Sequence, residues 1–422
     1  MFKKITLKNG LRIISAFQKN TQSVTILVLV KTGSKYETKE INGISHFLEH
    51  MFFKGTKKRP NTTIIAETLD RVGGIYNAFT GEDYTGYFAK VSSKHFDLAL
   101  DWVSDIFLNS KLEKCEIEKE KGVIIEEINM IFDNPMSYIQ LLWKELLYKD
   151  QPAGWNIAGT KETVRAITQE KLFDYLKSQY VSQNTVVSMA GNFKDFNTIV
   201  KKVEKSFSKI KNKNPKNKEK VVENQKSPGL LLKEKETDQT NICLGVRGYN
   251  LFCSQRYAQE ILGVILGGMM SSRLFIKVRE RLGLAYYIST EVSSDPDTGF
   301  LVTQAGVDNK NVLKAITTIL KEYKEISQKK VPEQELKKAK EYIKGKMALS
   351  FETSDNLSSF YGFQEILEEK IFTPEEIYYK IDSVKAEDIL KVAKEIFQPQ
   401  RLNLAVLGPF KDKKDFEKIL KL

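Results

Sequence analysis

Histidine is scarce in this sequence, with three among 422 residues. Chemistry built on imidazole must therefore draw on a very small set of positions. Cysteine also numbers three, and Cys115, Cys243 and Cys253 form an odd set with no close-spaced pair. That argues against a cysteine-held metal cage and against a disulfide scaffold, and reads as ordinary reduced thiols. Long apolar runs are missing too. The longest early one, Val24 to Val30, has the length of a strand. Neither a membrane-spanning helix nor the apolar stretch of a signal peptide is expected near the amino terminus, and the chain reads as a soluble cytoplasmic protein with no membrane partner.

Basic residues are plentiful, 66 Lys and Arg against 54 Asp and Glu, for a formal charge of +12. The two signs are interleaved along the chain rather than segregated, which is the pattern of a solvated surface. No basic stretch carries the regularly spaced aromatics of a base-stacking platform, so no nucleic-acid partner is expected. With 41% hydrophobic residues over this length, the chain exceeds what one compact core normally accommodates, and at least two domains are expected.

Between Lys209 and Pro228 the composition turns to Lys, Asn, Glu and Pro, as linkers do. The pieces on either side are similar in length and share landmarks in the same order. Ser23-Val-Thr-Ile-Leu-Val-Leu-Val corresponds to Thr240-Asn-Ile-Cys-Leu-Gly-Val-Arg, Asp83-Tyr-Thr-Gly-Tyr-Phe to Asp297-Thr-Gly-Phe-Leu, and Val186-Val-Ser-Met-Ala-Gly-Asn-Phe to Leu404-Ala-Val-Leu-Gly-Pro-Phe. A duplication is the simplest account. The expected organisation is 1–208 as a first domain, 209–228 as linker, and 229–422 as a second, homologous domain. Strand patterns mixed with long amphipathic helices in each copy predict an α+β fold, a mostly antiparallel sheet with helices packed on one face.

Two of the three histidines fall within Gly43-Ile-Ser-His46-Phe-Leu-Glu49-His50-Met. Ile44, Phe47, Leu48 and Met51 give this stretch a helical apolar face, which puts His46 and His50 one turn apart on one side with Glu49 beside them. Two imidazoles at that spacing can reach one metal ion, and the adjacent carboxylate can serve as a base. In a chain of this composition the His-x-x-Glu-His order arises by chance on the order of 10⁻³ times, so it carries weight. His95 is a polar residue at a helix start. A catalytic zinc site normally has three protein ligands, and no third histidine is available. The stretch Glu113–Ile131 has a helical stripe of Ile117, Ile124, Ile128 and Ile131, with Glu120 and Glu127 two turns apart at its edge. Carboxylates bordering an apolar face need a cation, either a metal or a basic side chain.

These motifs together resemble the pitrilysin and insulinase family of inverzincin peptidases, in particular its mitochondrial-processing-peptidase-like, two-domain branch. The resemblance covers nearly the whole chain. It implies one Zn²⁺ per chain held by His46, His50 and Glu127, which follows His50 with 76 residues between. It implies Glu49 as the base and Glu120 as an acidic residue orienting the site. Gly73-Gly-Ile-Tyr-Asn77-Ala78-Phe79-Thr80 is similar to the family's substrate-binding edge strand, which pairs with an extended peptide through its backbone. Val278-Arg279-Glu-Arg-Leu-Gly-Leu-Ala-Tyr286 matches a landmark whose Arg and Tyr, seven positions apart, contact substrate near the scissile bond. The second copy has no His-x-x-Glu-His; its matching helix reads Ile261-Leu-Gly-Val-Ile-Leu-Gly-Gly, and Lys346 falls near the position paired with Glu127. In this branch two chains form a clamshell, with the Arg and Tyr of one facing the zinc of the other. A chain that keeps both sets is expected to be a homodimeric zinc endopeptidase acting on extended peptides, unless its partner is a related chain. The competing reading is a non-catalytic peptide-binding or assembly subunit.

Overall fold

A computed structural model describes residues 2–193 and 195–422. Its first sheet contains β1 (Phe2–Thr6), β2 (Arg12–Phe17), β3 (Ser23–Val30), β4 (Ile75–Thr80), β5 (Thr85–Ser92) and β6 (Thr185–Gly191), in the spatial order β1-β2-β6-β3-β5-β4. The second contains β7 (Gly229–Glu234), β8 (Gln239–Arg247), β9 (Ala285–Ser294), β10 (Gly299–Asp308) and β11 (Leu402–Gly408), in the order β7-β11-β8-β10-β9. Apart from β1, the two sheets have one topology. In each, a single parallel pair, β2 with β6 or β7 with β11, adjoins a run of antiparallel pairs. The fold is α+β, and the duplication read from the sequence is repeated strand for strand.

Period-two alternation explains why β3 reads as one apolar run. Val24, Ile26, Val28 and Val30 enter one core with Phe47, Leu48 and Trp102, while Leu27 and Leu29 enter another on the opposite face. A strand buried on both faces needs apolar residues at every position. The sequence reading supplied helices for one face only. The structure covers the other face of the first sheet with the helix Ser354–Phe363, whose Leu357 and Tyr361 pack with Ile14, Leu27, Leu29 and Val186. In the second sheet, Cys243, Phe300, Val302 and Ala405 pack with Ile139, Leu142 and Trp143 of the helix Pro135–Tyr148.

The chain consequently folds into two compact units that are not simply its two halves. One takes residues 1–129, 155–219 and 348–373, and the other takes 130–154, 220–347 and 374–422. Each half donates one helical segment to the other's sheet. In the first unit the donated segment is fixed by ion pairs as well as by apolar contact: Lys4 and Arg12 with Glu365 at 2.7 and 3.6 Å, and Lys90 with Asp355 at 2.6 Å. Residues 211–226, inside the expected linker, carry no regular secondary structure. They are nonetheless held by hydrogen bonds, such as Val222 N–H to Gln151 Oε1 at 2.7 Å. Among the described residues no helix is long and apolar enough to cross a membrane.

Trp143 is almost fully buried against the second sheet. Trp143→Ala is expected to destabilise that unit by about 3–5 kcal/mol, read as a lower denaturant midpoint by circular dichroism; an unchanged midpoint would remove this helix from the unit's core.

Candidate metal centre

The His-x-x-Glu-His segment lies on the helix Ile44–Met51, with Ile44, Phe47, Leu48 and Met51 fully buried. Eight residues are too few for a stable isolated helix, so its position has to be set by its surroundings. The chain enters through Gly43 at φ 96°, where an added Cβ would lie 2.6 Å from the Ala158 carbonyl oxygen. Both the left-handed backbone and the close approach require glycine. The buried Glu37 carboxylate accepts from the N–H groups of Gly43 and Ser45, each at 2.8 Å, and from Asn42 Nδ2 at 3.0 Å. This satisfies donors that open a helix and have no partner within it. Burial pushes the Glu37 pKa up to about 7, against the lowering effect of the hydrogen bonds from Ser45, Gly43 and Asn42. Ser45 Oγ is in turn 2.8 Å from the Tyr175 hydroxyl.

The helix Lys114–Asp133 supplies the acidic groups. Ile117, Ile124 and Ile128 bury its stripe, and Glu120 and Glu127 emerge beside the two histidines. His46 Nε2 and His50 Nε2 are 3.2 Å apart, and Glu127 Oε2 lies 3.6 Å from the first and 3.5 Å from the second. Among the described residues these three form the one group able to hold a metal ion. For metal–ligand bonds of about 2.0–2.1 Å, a tetrahedral site separates its ligand atoms by about 3.3–3.4 Å. The triangle fits zinc in size and in its nitrogen and oxygen donors, and its three protein ligands are the number usual in catalytic sites.

Behind the triangle, Glu120 is 3% exposed, with Oε1 2.9 Å from His50 Nδ1 and Oε2 2.6 Å from Lys54 Nζ. A carboxylate on the far nitrogen of a ligating histidine fixes the ring and its tautomer. Although burial opposes it, hydrogen bonds from His50 and Lys54 hold the Glu120 pKa below the usual carboxylate value. Burial, then the neighbouring His50, pushes His46 down to about 4, which leaves at neutral pH the uncharged imidazole that binds metals. His50 moves the other way: burial lowers it, but the hydrogen bond to Glu120 and the charges of Glu127 and Glu49 outweigh burial. Glu49 is raised, chiefly by burial. Glu49, Glu120 and Glu127 crowd the two imidazoles while Lys54 pairs with Glu120, an arrangement that a divalent cation would relieve.

Asn77, Ala78, Phe79 and Thr80 lie on β4, the edge strand of the first sheet, paired on one side only, with β5. Arg279 and Tyr286 belong to the other unit. Arg279 sits in the helical turn Phe275–Arg281 with its guanidinium 4.8 Å from the Phe275 ring centroid. On β9, Tyr287 pairs with Gly306 and Ala285 with Val307, so Tyr286 is the extra residue of a β-bulge and is 74% exposed. Bulges re-aim side chains in this way. Sequence reasoning missed Lys54 and Glu37. Lys54 stands one turn beyond His50, a spacing that could have nominated it as the partner of a buried acid. Glu37 gave no local signal, since it reaches the helix start through a loop.

Residues 12–161 match the family described as Insulinase (Peptidase family M16), and residues 166–343 match the Peptidase M16 inactive domain. A protein of Bacillus subtilis named an uncharacterized zinc protease is 37% identical over 418 residues, spanning 97% of this chain and 98% of that protein. A Rickettsia felis protein, also named an uncharacterized zinc protease, is 35% identical over 404 residues, 96% of both chains. In fold, the chain is similar to a protease from Helicobacter pylori, with a TM-score of 0.90 at 23% identity over 97% of this chain and 99% of that one. It is likewise similar to a chain of Complex III2 from Candida albicans, with a TM-score of 0.85 at 19% identity over the whole of both chains.

Glu120→Gln keeps the shape of the side chain and removes its charge. It is expected to weaken zinc affinity by about 10–100-fold, measured by competition with a chromophoric chelator; wild-type affinity would mean that Glu120 does not support the site.

Proposed function

We propose that this chain, which belongs to the insulinase (peptidase M16) family, is a zinc-dependent endopeptidase that hydrolyses extended peptides or unstructured polypeptides. One observation carries the reading: two imidazole nitrogens and one carboxylate oxygen from two separate helices converge to within 3.6 Å of one another, with a second carboxylate, Glu49, on the same helix as the histidines. His46, His50 and Glu127 would hold one Zn²⁺ per chain. When bound, zinc polarises the scissile carbonyl and lowers the pKa of water to about 7.

The remaining steps belong to the chain. Glu49 takes the proton of the attacking water and later delivers it to the leaving amine. Burial raises its pKa, which strengthens it as a base toward water. The free edge of β4 offers backbone donors and acceptors to an extended peptide, a mode of binding that tolerates varied sequences. Arg279 and Tyr286 stabilise the developing oxyanion or hold the neighbouring carbonyl. In this reading they act on the zinc site of a partner chain, and the working unit is a dimer, with 1–208 as the catalytic domain and 229–422 as its metal-free counterpart. The second half contains no histidine, since all three precede residue 209.

A mixed peptide library cut by the purified protein and mapped by mass spectrometry tests the reading. Hydrolysis should vanish with a chelator, return with zinc, and fall by about 10²–10⁴-fold in Glu49→Gln while that variant still binds one zinc. Near-normal cutting by Glu49→Gln would remove it as the base, and no cutting by the metal-loaded wild type would favour a peptide-binding role. Mixing Glu49→Gln with Arg279→Ala chains should restore activity through dimers with one intact site. A mixture no more active than its components would count against a site shared between chains.

A further inference from the structure

The Glu49 side chain has one hydrogen-bond partner among the described residues, and it lies outside the metal centre. Thr80 Oγ1 donates to Glu49 Oε2 at 2.5 Å, the short end of the range for a hydroxyl on a carboxylate. We infer that Thr80 is the positioning residue of the base: its hydroxyl holds one oxygen of Glu49 and leaves the other to take the proton of water. The inference rests on the peptidase reading above and changes what Thr80 does within it, from peptide contact to alignment of Glu49.

The strand pattern explains how Thr80 comes to face the helix. Along β4 the side chains alternate: Tyr76 and Ala78 pack toward the core that contains Phe47 and Leu48, while Phe79 packs toward the opposite face. Period two then puts Thr80 on the side of the helix that bears Glu49. Its register is secured from both directions. Phe79 lies over Gly86, where an added Cβ would be 2.2 Å from the ring, so a larger residue there would displace the ring. Thr80 itself pairs with Thr85, just before the turn that Gly81 N–H closes on the Tyr84 carbonyl at 2.8 Å. The donor is thus fixed by the backbone of the edge strand, whereas Glu49 has three rotatable bonds and no other anchor in the described residues. A peptide that pairs with β4 would engage the same strand that aligns the base.

Thr80→Val removes the donor at constant shape, and Thr80→Ser keeps it. Thr80→Val is expected to lower kcat by about 10–100-fold, with KM and zinc stoichiometry close to wild type, and Thr80→Ser to recover most of the loss. A raised KM at unchanged kcat would make Thr80 a peptide contact and overturn the inference. Crystal structures of the zinc-loaded proteins give a readout that needs no turnover. Glu49 should keep one orientation in wild type and Thr80→Ser, and shift or split in Thr80→Val. An unmoved Glu49 in Thr80→Val overturns the inference even if the wild type proves inactive, a result that would count separately against the peptidase reading.

Discussion

The candidate site depends on the buried contact between Glu37 and the start of an eight-residue helix. His46, Glu49 and His50 are all carried by that helix, and a helix of two turns has little stability of its own. What holds it is an apolar underside sunk into the core, a glycine whose left-handed backbone admits the chain at one angle, and a carboxylate that takes up the N–H groups of Gly43 and Ser45. Loosening any of these would move both imidazoles and the Glu49 carboxylate together. Precision at such a centre is obtained from residues that never touch the ion, because a ring or carboxylate with free rotamers would spend much of its time elsewhere.

A second constraint is charge. Glu49, Glu120 and Glu127 converge on two imidazoles, with Lys54 paired to Glu120, and burial makes such an arrangement costly without a compensating cation. The opposite pKa directions of the two histidines follow from this geometry. His46 has burial working against its charge, whereas His50 stands against the Glu120 carboxylate. The electrostatics therefore favour a bound cation independently of the motif. In the second half the corresponding position near Glu127 is taken by Lys346, an exposed residue, and the matching helix carries no imidazole.

Much of this was legible in the sequence, for a physical reason. The His-x-x-Glu-His helix, the isoleucine stripe beneath Glu120 and Glu127, and the strand-length apolar run of β3 are local patterns, and local patterns record which way each side chain faces. Ile117, Ile124 and Ile128 turned out buried and Ile131, near the helix end, only partly so, and the strands of the two halves matched in order. What stayed illegible were pairings over long separations. Glu37 reaches the helix through a loop, Lys54 meets Glu120 across 66 positions, and Thr80 looked like one more residue of a peptide-binding strand. Nothing in the neighbourhood of Glu37 or Thr80 reveals its partner, and only the one-turn spacing from His50 hints at that of Lys54.

The exchange of helices between the halves belongs to the same class and has a consequence for how the chain can be divided. Ile14, Leu27, Leu29 and Val186 form an apolar face on the first sheet, and the residues that cover it, Leu357, Tyr361 and Ile366, come more than 160 positions after the last strand of that sheet. A fragment ending at the linker would contain the whole metal constellation and still leave that face to water, inviting association through it. The cover cannot form until most of the second half has been synthesised, so the first sheet must stay partly uncovered during folding, at the cost of closing a long loop. Donated helices thus make each half a condition for the other's completeness. That dependence offers a physical reason for the second half to stay folded although it contains no histidine: the first sheet needs the helix that the second half carries.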